Sequence, residues 1–448
     1  MANTDTGAAA QTDAKLPFHL QGNFAPVPDE VTLTDLDVTG QIPADLEGRY
    51  LRNGANPITG ESEHWFFGDG MIHGIRLTDG RAEWYRNRYV RTPFYAEPTK
   101  PLIDMESGQT DKVDSKANTH VVAHAGRILC LEEGHVPYEI DSELNTVGPY
   151  DFAGKLEGAF TAHPKICPTT GEMIGFGYGI FPPYLTYRRV SAGGELVQSE
   201  PIDLPAPVMM HDFNVTENYV IFMDLPVVFD LDLAIAGKMP FQFRADNGAR
   251  LGIMPRDGGN DDVRWLGIEP CYVFHPVNAF ESADRIVLDV ARYPSLWAEG
   301  SNFNESASLW RWQIDLSTGT VAETQLDDRG IEFGRVADDH VSKPYRYGYA
   351  VGTAPETETS LVKYDLEKGT SAVHDFGRGQ KPGEFVFAPR DGASAEDDGY
   401  AMGYVYDASD DVSSFVILDA ADVASAPVAT VRLPRRVPFG FHGSWIAD

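Results

Sequence analysis

Short apolar runs broken by turn-forming residues set the rhythm of this sequence. Arg127-Ile-Leu-Cys-Leu131, Glu172-Met-Ile-Gly-Phe176, Tyr219-Val-Ile-Phe-Met223, Arg285-Ile-Val-Leu-Asp-Val290 and Ser414-Phe-Val-Ile-Leu418 are strand-length and rich in β-branched and aromatic side chains. Asn53-Gly54, Asp79-Gly80, Thr170-Gly171 and Asp391-Gly392 read as turns between such runs. This pattern predicts an all-β sandwich, barrel or propeller. No helical periodicity alternates with it, which weighs against α/β.

A looser repeat narrows the choice. Trp312-Gln-Ile-Asp-Leu-Ser-Thr-Gly319 and Val362-Lys-Tyr-Asp-Leu-Glu-Lys-Gly369 share a strand, a turn and Asp-Leu-x-x-Gly, as the outer hairpin of a propeller blade would. At roughly 60 residues per blade with insertions, the chain suits about seven blades. Residues 231–243 break the rhythm. They are apolar, end in aromatics and read as a helix or cap, a hydrophobic entrance, a membrane contact or an ordinary packed insertion. Residues 392–399 are small and acidic and read as an exposed loop. No linker divides the chain, so the expectation is a disordered leader over 1–15 and one domain over 16–448.

Acidic residues outnumber basic ones by 67 to 36, for a net charge of −31. So negative a surface repels nucleic-acid phosphates and anionic headgroups. Three cysteines at positions 130, 167 and 271 have no metal-like spacing and imply a reducing compartment. The first residues have no signal-peptide pattern, and no apolar run approaches the ~20 residues of a spanning helix. A cytoplasmic location is expected. Nothing in the sequence sets an oligomeric state.

Among twelve histidines, His163, His211, His275 and His442 each sit at the edge of an apolar segment beside a turn-maker or an acid. Their separations of 48, 64 and 167 residues exclude a local motif such as His-Glu-x-x-His. The gaps suit a site assembled from several strand ends, although a lone strand histidine is usually a hydrogen-bonded core residue. His64, His73, His120 and His124 have more polar surroundings and read as structural or exposed. Nucleophile-elbow, Walker and dinucleotide-binding patterns are missing.

Tyr50-Leu-Arg-Asn-Gly-Ala-Asn-Pro57, Trp65-Phe-Phe-Gly-Asp-Gly-Met-Ile-His73, Asn118-Thr-His120, Glu133 through Pro137-Tyr-Glu-Ile-Asp141, Thr161-Ala-His-Pro-Lys165, Phe274-His-Pro-Val-Asn278 and Phe441-His-Gly-Ser-Trp445 together resemble the carotenoid cleavage oxygenase family. The resemblance runs from about Leu36 to the C-terminal segment. It implies a seven-bladed β-propeller with a loop and helix cap over the metal face, and one Fe(II) per chain held by His163, His211, His275 and His442. It places Glu133, Glu332 and Glu384 on the far nitrogens of three ligands, where a carboxylate orients the ring and raises its basicity. Thr119 matches a threonine that many family oxygenases keep beside the metal and the related retinoid isomerase does not. Phe67, Tyr95 and Phe274 are candidates for lining the substrate tunnel.

The implied function is oxidative cleavage by O2 of a conjugated C=C bond in a carotenoid or apocarotenoid, giving two carbonyl products. Four neutral imidazoles leave iron its full charge and open positions, which suits O2 chemistry; no side chain is needed as nucleophile or base. Cleavage of a phenolic stilbene or phenylpropenoid is the alternative. Stilbene-cleaving relatives place a lysine where Glu132 stands, and a carboxylate there opposes a phenolate, although Tyr89 or Tyr95 offers another donor. A non-catalytic propeller binding an apolar ligand is the reading from a different class.

Overall fold

In the computed structural model, which describes residues 16–448 apart from 99, 101–110, 237, 299–302 and 304, the apolar runs pair into seven antiparallel sheets of four to six strands. These are the blades of the expected propeller; the proposed leader over 1–15 lies outside the described residues. Blade I carries Gly48–Ala55, Gly70–Thr78 and Arg81–Tyr89, and blade II begins at His120–His124. Blades III, IV, V and VI open with Lys165–Ile166, Asn214–Val215, Tyr272–Ser282 and Ile331–Arg335. Blade VII is built on Gly399–Asp407 and Val412–Asp419.

Burial follows position in the blade. Gly48–Ala55 and Gly399–Asp407 are almost wholly buried, because the faces of an inner strand pack against neighbouring blades. The outermost Leu196–Ile202 and Thr320–Gln325 alternate or turn largely to water. This difference explains why the inner strands read as continuous apolar runs. The core lies between blades: Ile221, Leu251, Tyr272, Leu288 and Trp312 join IV to V, and Tyr50, Ile75, Tyr404 and Phe415 join VII to I. Trp312 is fully buried, so its loss to alanine costs about 3–5 kcal/mol.

The Asp-Leu-x-x-Gly repeats are the outer hairpin turns of blades V and VI. Asp315 accepts hydrogen bonds from the Ser317 and Thr318 N–H groups, each at 2.9 Å. The Ser317 hydroxyl and these amides pull its pKa down to about 2. Gly319 and Gly369 close the turns at φ +73° and +64°, where a side chain is disfavoured.

Two exchanged strands close the ring. Gly443–Ala447 adds to Gly48–Arg52 of blade I, and Asp37–Gly40 adds to Ala429–Arg432 of blade VII. Asn53-Gly54, expected as a turn, lies inside the strand Gly48–Ala55, just past this pairing and opposite Ile72 and Met71. The Asn53 amide donates to the carbonyls of Ala117 and His120 at 2.8 and 3.0 Å. A Cβ on Gly54 would stand 2.9 Å from the Gly440 Cα. The dipeptide therefore serves close strand approach rather than chain reversal.

Residues 231–236 and 238–243 form part of an insertion in blade IV. Val227–Phe229 pairs with Phe241–Phe243, and the one-turn helix Leu231–Ile235 lies between them. Asp230 caps that helix by accepting from the Asp232 and Leu233 N–H groups. Leu231 and Ile235 are 63% and 76% exposed. Among the described residues no helix is long and apolar enough to cross a membrane. All three cysteines are free and buried.

Closure is tested at Gly443, where a Cβ would lie 2.7 Å from the Leu51 carbonyl oxygen and 3.0 Å from the Tyr50 hydroxyl. Gly443→Ala should destabilise the fold by about 1–3 kcal/mol through overpacking, read as a lower urea midpoint. An unchanged midpoint would show that the closing strand is loosely held.

Candidate metal centre

Strand ends of four blades deliver four imidazoles to one point. His163 precedes Lys165–Ile166, His211 precedes Asn214–Val215 and His442 directly precedes Gly443–Ala447. His275 lies within Tyr272–Ser282, where the register shifts on both sides of Pro276. Such bulges bend a strand and re-aim a side chain. His442 is fixed by the main chain: its N–H donates to the Thr119 carbonyl at 3.0 Å, and its carbonyl accepts from Asn53 at 2.9 Å.

All four rings are buried, and one nitrogen from each lies within 4.8 Å of the others. Three have a carboxylate behind them. Nδ1 of His211 donates to Glu133 at 3.0 Å, Nδ1 of His275 to Glu332 at 2.5 Å and Nδ1 of His442 to Glu384 at 3.0 Å. A carboxylate only accepts, so the proton sits on Nδ1 and Nε2 is left as a lone pair. Glu332 also accepts from the Phe333 N–H, and Glu384 from the Gly443 N–H.

Bare nitrogens facing one another make a cluster suited to a cation. Nε2 of His211 and Nε2 of His275 stand 3.2 Å apart, and Nε2 of His163 is buried without a partner among the described residues. Neighbouring imidazole ligands with metal–nitrogen bonds of about 2.0–2.1 Å sit at about this separation. The donor set fits a transition metal that accepts nitrogen.

Burial pushes His163 and His442 far below the ordinary imidazole range, and the neighbouring histidines add to it. Burial also opposes charge on His275, but the Glu332 carboxylate outweighs it and the net shift is upward. Tyr178, Tyr272 and Tyr293 stay phenolic because burial, and then Glu133 or Glu332, raises them.

An aromatic wall adjoins the quartet. Phe274 meets His211 edge to face at 5.0 Å, and Phe333 stacks on His275 at 5.4 Å. Phe333 adopts φ +55°, a strained setting for an aromatic residue. Phe66, Trp297 and Phe303 pack against Phe274, and Phe441 packs against Phe66.

The remaining expected residues are distributed unevenly. Thr119 borders His442 through its carbonyl, while its hydroxyl bonds to Asn118 Oδ1 at 2.9 Å. Phe67 packs on His64, and its neighbour Phe66 faces Phe274. Tyr95 leans on Tyr89 beneath Arg91, and the Tyr89 hydroxyl accepts from Asn56. Glu132 accepts from Ser115, Gly134 and His135, so its charge is already engaged.

His64, His73, His120 and His124 are all buried, which removes the exposed alternative. His120 lies 5.2 Å from the His442 ring and donates from Nδ1 to the Ala162 carbonyl. Its sequence neighbours gave no sign of this, because the partner lies 42 residues away.

A sequence profile described as retinal pigment epithelial membrane protein matches residues 24–447. A carotenoid cleavage oxygenase of Mycobacterium tuberculosis is 40% identical, the alignment covering 98% of this chain and 99% of that protein. A carotenoid 9,10(9',10')-cleavage dioxygenase of Crocus sativus is 36% identical over 97% of this chain and 90% of its own. Among solved structures, Pseudomonas brassicacearum lignostilbene dioxygenase aligns with a TM-score of 0.88 at 28% identity, over 97% of this chain and 100% of that one. Cobalt-substituted Synechocystis apocarotenoid oxygenase aligns with a TM-score of 0.83 at 30% identity, over 94% and 97%.

The neutral imidazoles make stability pH-dependent. Burial lowers His73, His120, His163 and His442 well below 6.5, and His64 to about 4. Below about pH 6.5 the unfolded chain protonates these groups and the fold does not, so each removes up to about 1.4 kcal/mol per pH unit. His275 and His135, raised instead, give stability that is present below about pH 6.5 and fades as pH climbs through their raised values. The five outweigh the two. Metal-free protein should therefore unfold at lower urea at pH 5.5 than at pH 7.5; an equal midpoint would show that the fold accommodates the charged rings.

Proposed function

The chain belongs to the carotenoid cleavage oxygenase family, and from that premise we propose a non-haem Fe(II) dioxygenase that cleaves a conjugated C=C bond of a carotenoid or apocarotenoid into two carbonyl products. The observation that carries the reading is the buried quartet, with bare Nε2 lone pairs converging from His163, His211, His275 and His442. Iron(II) held by four neutral imidazoles supplies O2 activation without adding ligand charge.

The protein's own residues do the rest. Glu133, Glu332 and Glu384 retain the Nδ1 protons and keep each ring aimed. Phe66, Phe274, Trp297, Phe333 and Phe441 form an apolar wall that excludes water and offers faces and edges to a polyene. Thr119, locked to His442 and Asn118, narrows the space beside the fourth ligand. No general base is required, since both oxygen atoms of O2 enter the two products.

A phenolic stilbene is the competing substrate. Glu132, neutralised by His135, no longer weighs against a phenolate as a free carboxylate would. The Tyr89 hydroxyl accepts from Asn56 and keeps its own proton to donate, and Tyr95 meets Tyr89 through its ring, so this pair gives no weight against a stilbene. The carotenoid reading keeps the advantage because the relatives at 40% and 36% identity, aligned over 97% or more of the chain, are carotenoid cleavage enzymes.

Such substrates reside in lipid, and we assign the surface contact to Leu231 and Ile235, one helical turn apart and exposed. The net charge of −31 favours zwitterionic over anionic bilayers. Leu231→Asp with Ile235→Asp should abolish co-sedimentation with phosphatidylcholine vesicles while leaving turnover in detergent intact. Retained co-sedimentation would remove this surface from the reading.

Anaerobically purified protein should carry about one iron per chain and release aldehydes from an apocarotenal under O2. His442→Ala should eliminate both. Glu332→Gln should weaken metal binding by about 10–100-fold. Turnover of a phenolic stilbene but no apocarotenal would transfer the assignment to the competing substrate, and stoichiometric absence of iron would leave a non-catalytic propeller.

A further inference from the structure

The fourth imidazole lacks the support given to the other three. Among the described residues no glutamate lies behind His163; the carboxylate facing its Nδ1 is Asp212, whose Oδ2 is 3.8 Å away. That is too far for a hydrogen bond but close for an anion in a dry interior. Asp212 is buried and already held: Lys165 Nζ lies 2.8 and 3.0 Å from its two oxygens, and the Phe213 N–H donates to Oδ1 at 2.6 Å. His163 itself is pinned by its main chain, its N–H donating to the Thr161 hydroxyl at 2.9 Å.

The connectivity is reciprocal. Blade III supplies His163 and Lys165, and blade IV supplies His211 and Asp212. One ion pair thus ties together the two strand ends that present adjacent rings, whose centroids are 4.4 Å apart. We infer that Asp212, held by Lys165, is the positioning residue for His163: it keeps the proton on Nδ1, leaves Nε2 bare, and locks blade III to blade IV at the centre. This rests on the quartet being a metal site. Removing one partner of a buried ion pair lowers stability by itself, so urea unfolding reads the structural loss and metal affinity reads the positioning.

Wild-type, Asp212→Asn and Lys165→Met proteins, stripped of metal, are titrated with Co(II) against a chelator, with urea unfolding of each apo form alongside. Asp212→Asn should bind Co(II) about 10–100-fold more weakly, with altered Co(II) absorption bands. Lys165→Met should fall between it and wild type, and the double variant should match Asp212→Asn. Wild-type affinity and bands in a folded Asp212→Asn would overturn the inference, as would a folded Lys165→Met that binds like wild type. A wild type that takes no Co(II) would sink the metal-site reading instead. Imidazole 15N spectra of wild-type apo protein need no charge variant: His163 should carry its proton on Nδ1, and a proton on Nε2 overturns the inference.

Discussion

An imidazole offers a lone pair at one nitrogen while the other holds its proton, and buried carboxylates enforce that division here. Glu133, Glu332 and Glu384 each accept from an Nδ1 and leave the opposite nitrogen directed inward. Without them the rings could flip or exchange tautomers, and the bare nitrogens would no longer converge. The cost of burying the carboxylates is met by these same contacts, since a buried charge persists only with partners.

The contacts also bind the ring together. Glu133 follows the second strand of blade II and serves a histidine of blade IV. Glu332 of blade VI serves blade V, and Glu384 of blade VII serves the residue that enters blade I. Propeller closure and imidazole orientation are therefore one network, and the shifts in register at Pro276 and between Glu332 and Arg335 mark where strand regularity yields to it. Phe333, with its left-handed backbone, is the price of turning an aromatic face onto His275.

Much of the architecture was legible because it rests on local physics. Alternating burial and aspartate-led turns are written into neighbouring residues, so strand positions and the outer hairpins of blades V and VI could be read directly. Asn53-Gly54 misled because its local signal is the same for an exposed turn and a buried strand, and its partners Ala117 and His120 lie more than sixty residues away. The quartet needed the family resemblance, since separations of 48, 64 and 167 residues carry no motif. Phe66 and Phe67 differ by one position within a short helical turn, and composition cannot tell which ring turns inward. The Asp212 contact was invisible because adjacency to His211 says nothing about a ring on the next blade.

The uneven spacing of the four histidines bears on the order of events during folding. Three of them fall between residues 163 and 275, within blades III to V, whereas the fourth arrives only after blades VI and VII. A chain that folds from its N-terminal side therefore passes through a stage with a three-imidazole half-site open to solvent on its unclosed flank. Joining Asn53 to His442 then shuts a loop spanning almost the whole chain, the kind of non-local step that makes such topologies slow. A metal captured at the half-site would lower the cost of that last step by giving His442 something to bind on arrival, making the cofactor a template for ring closure as well as a reagent.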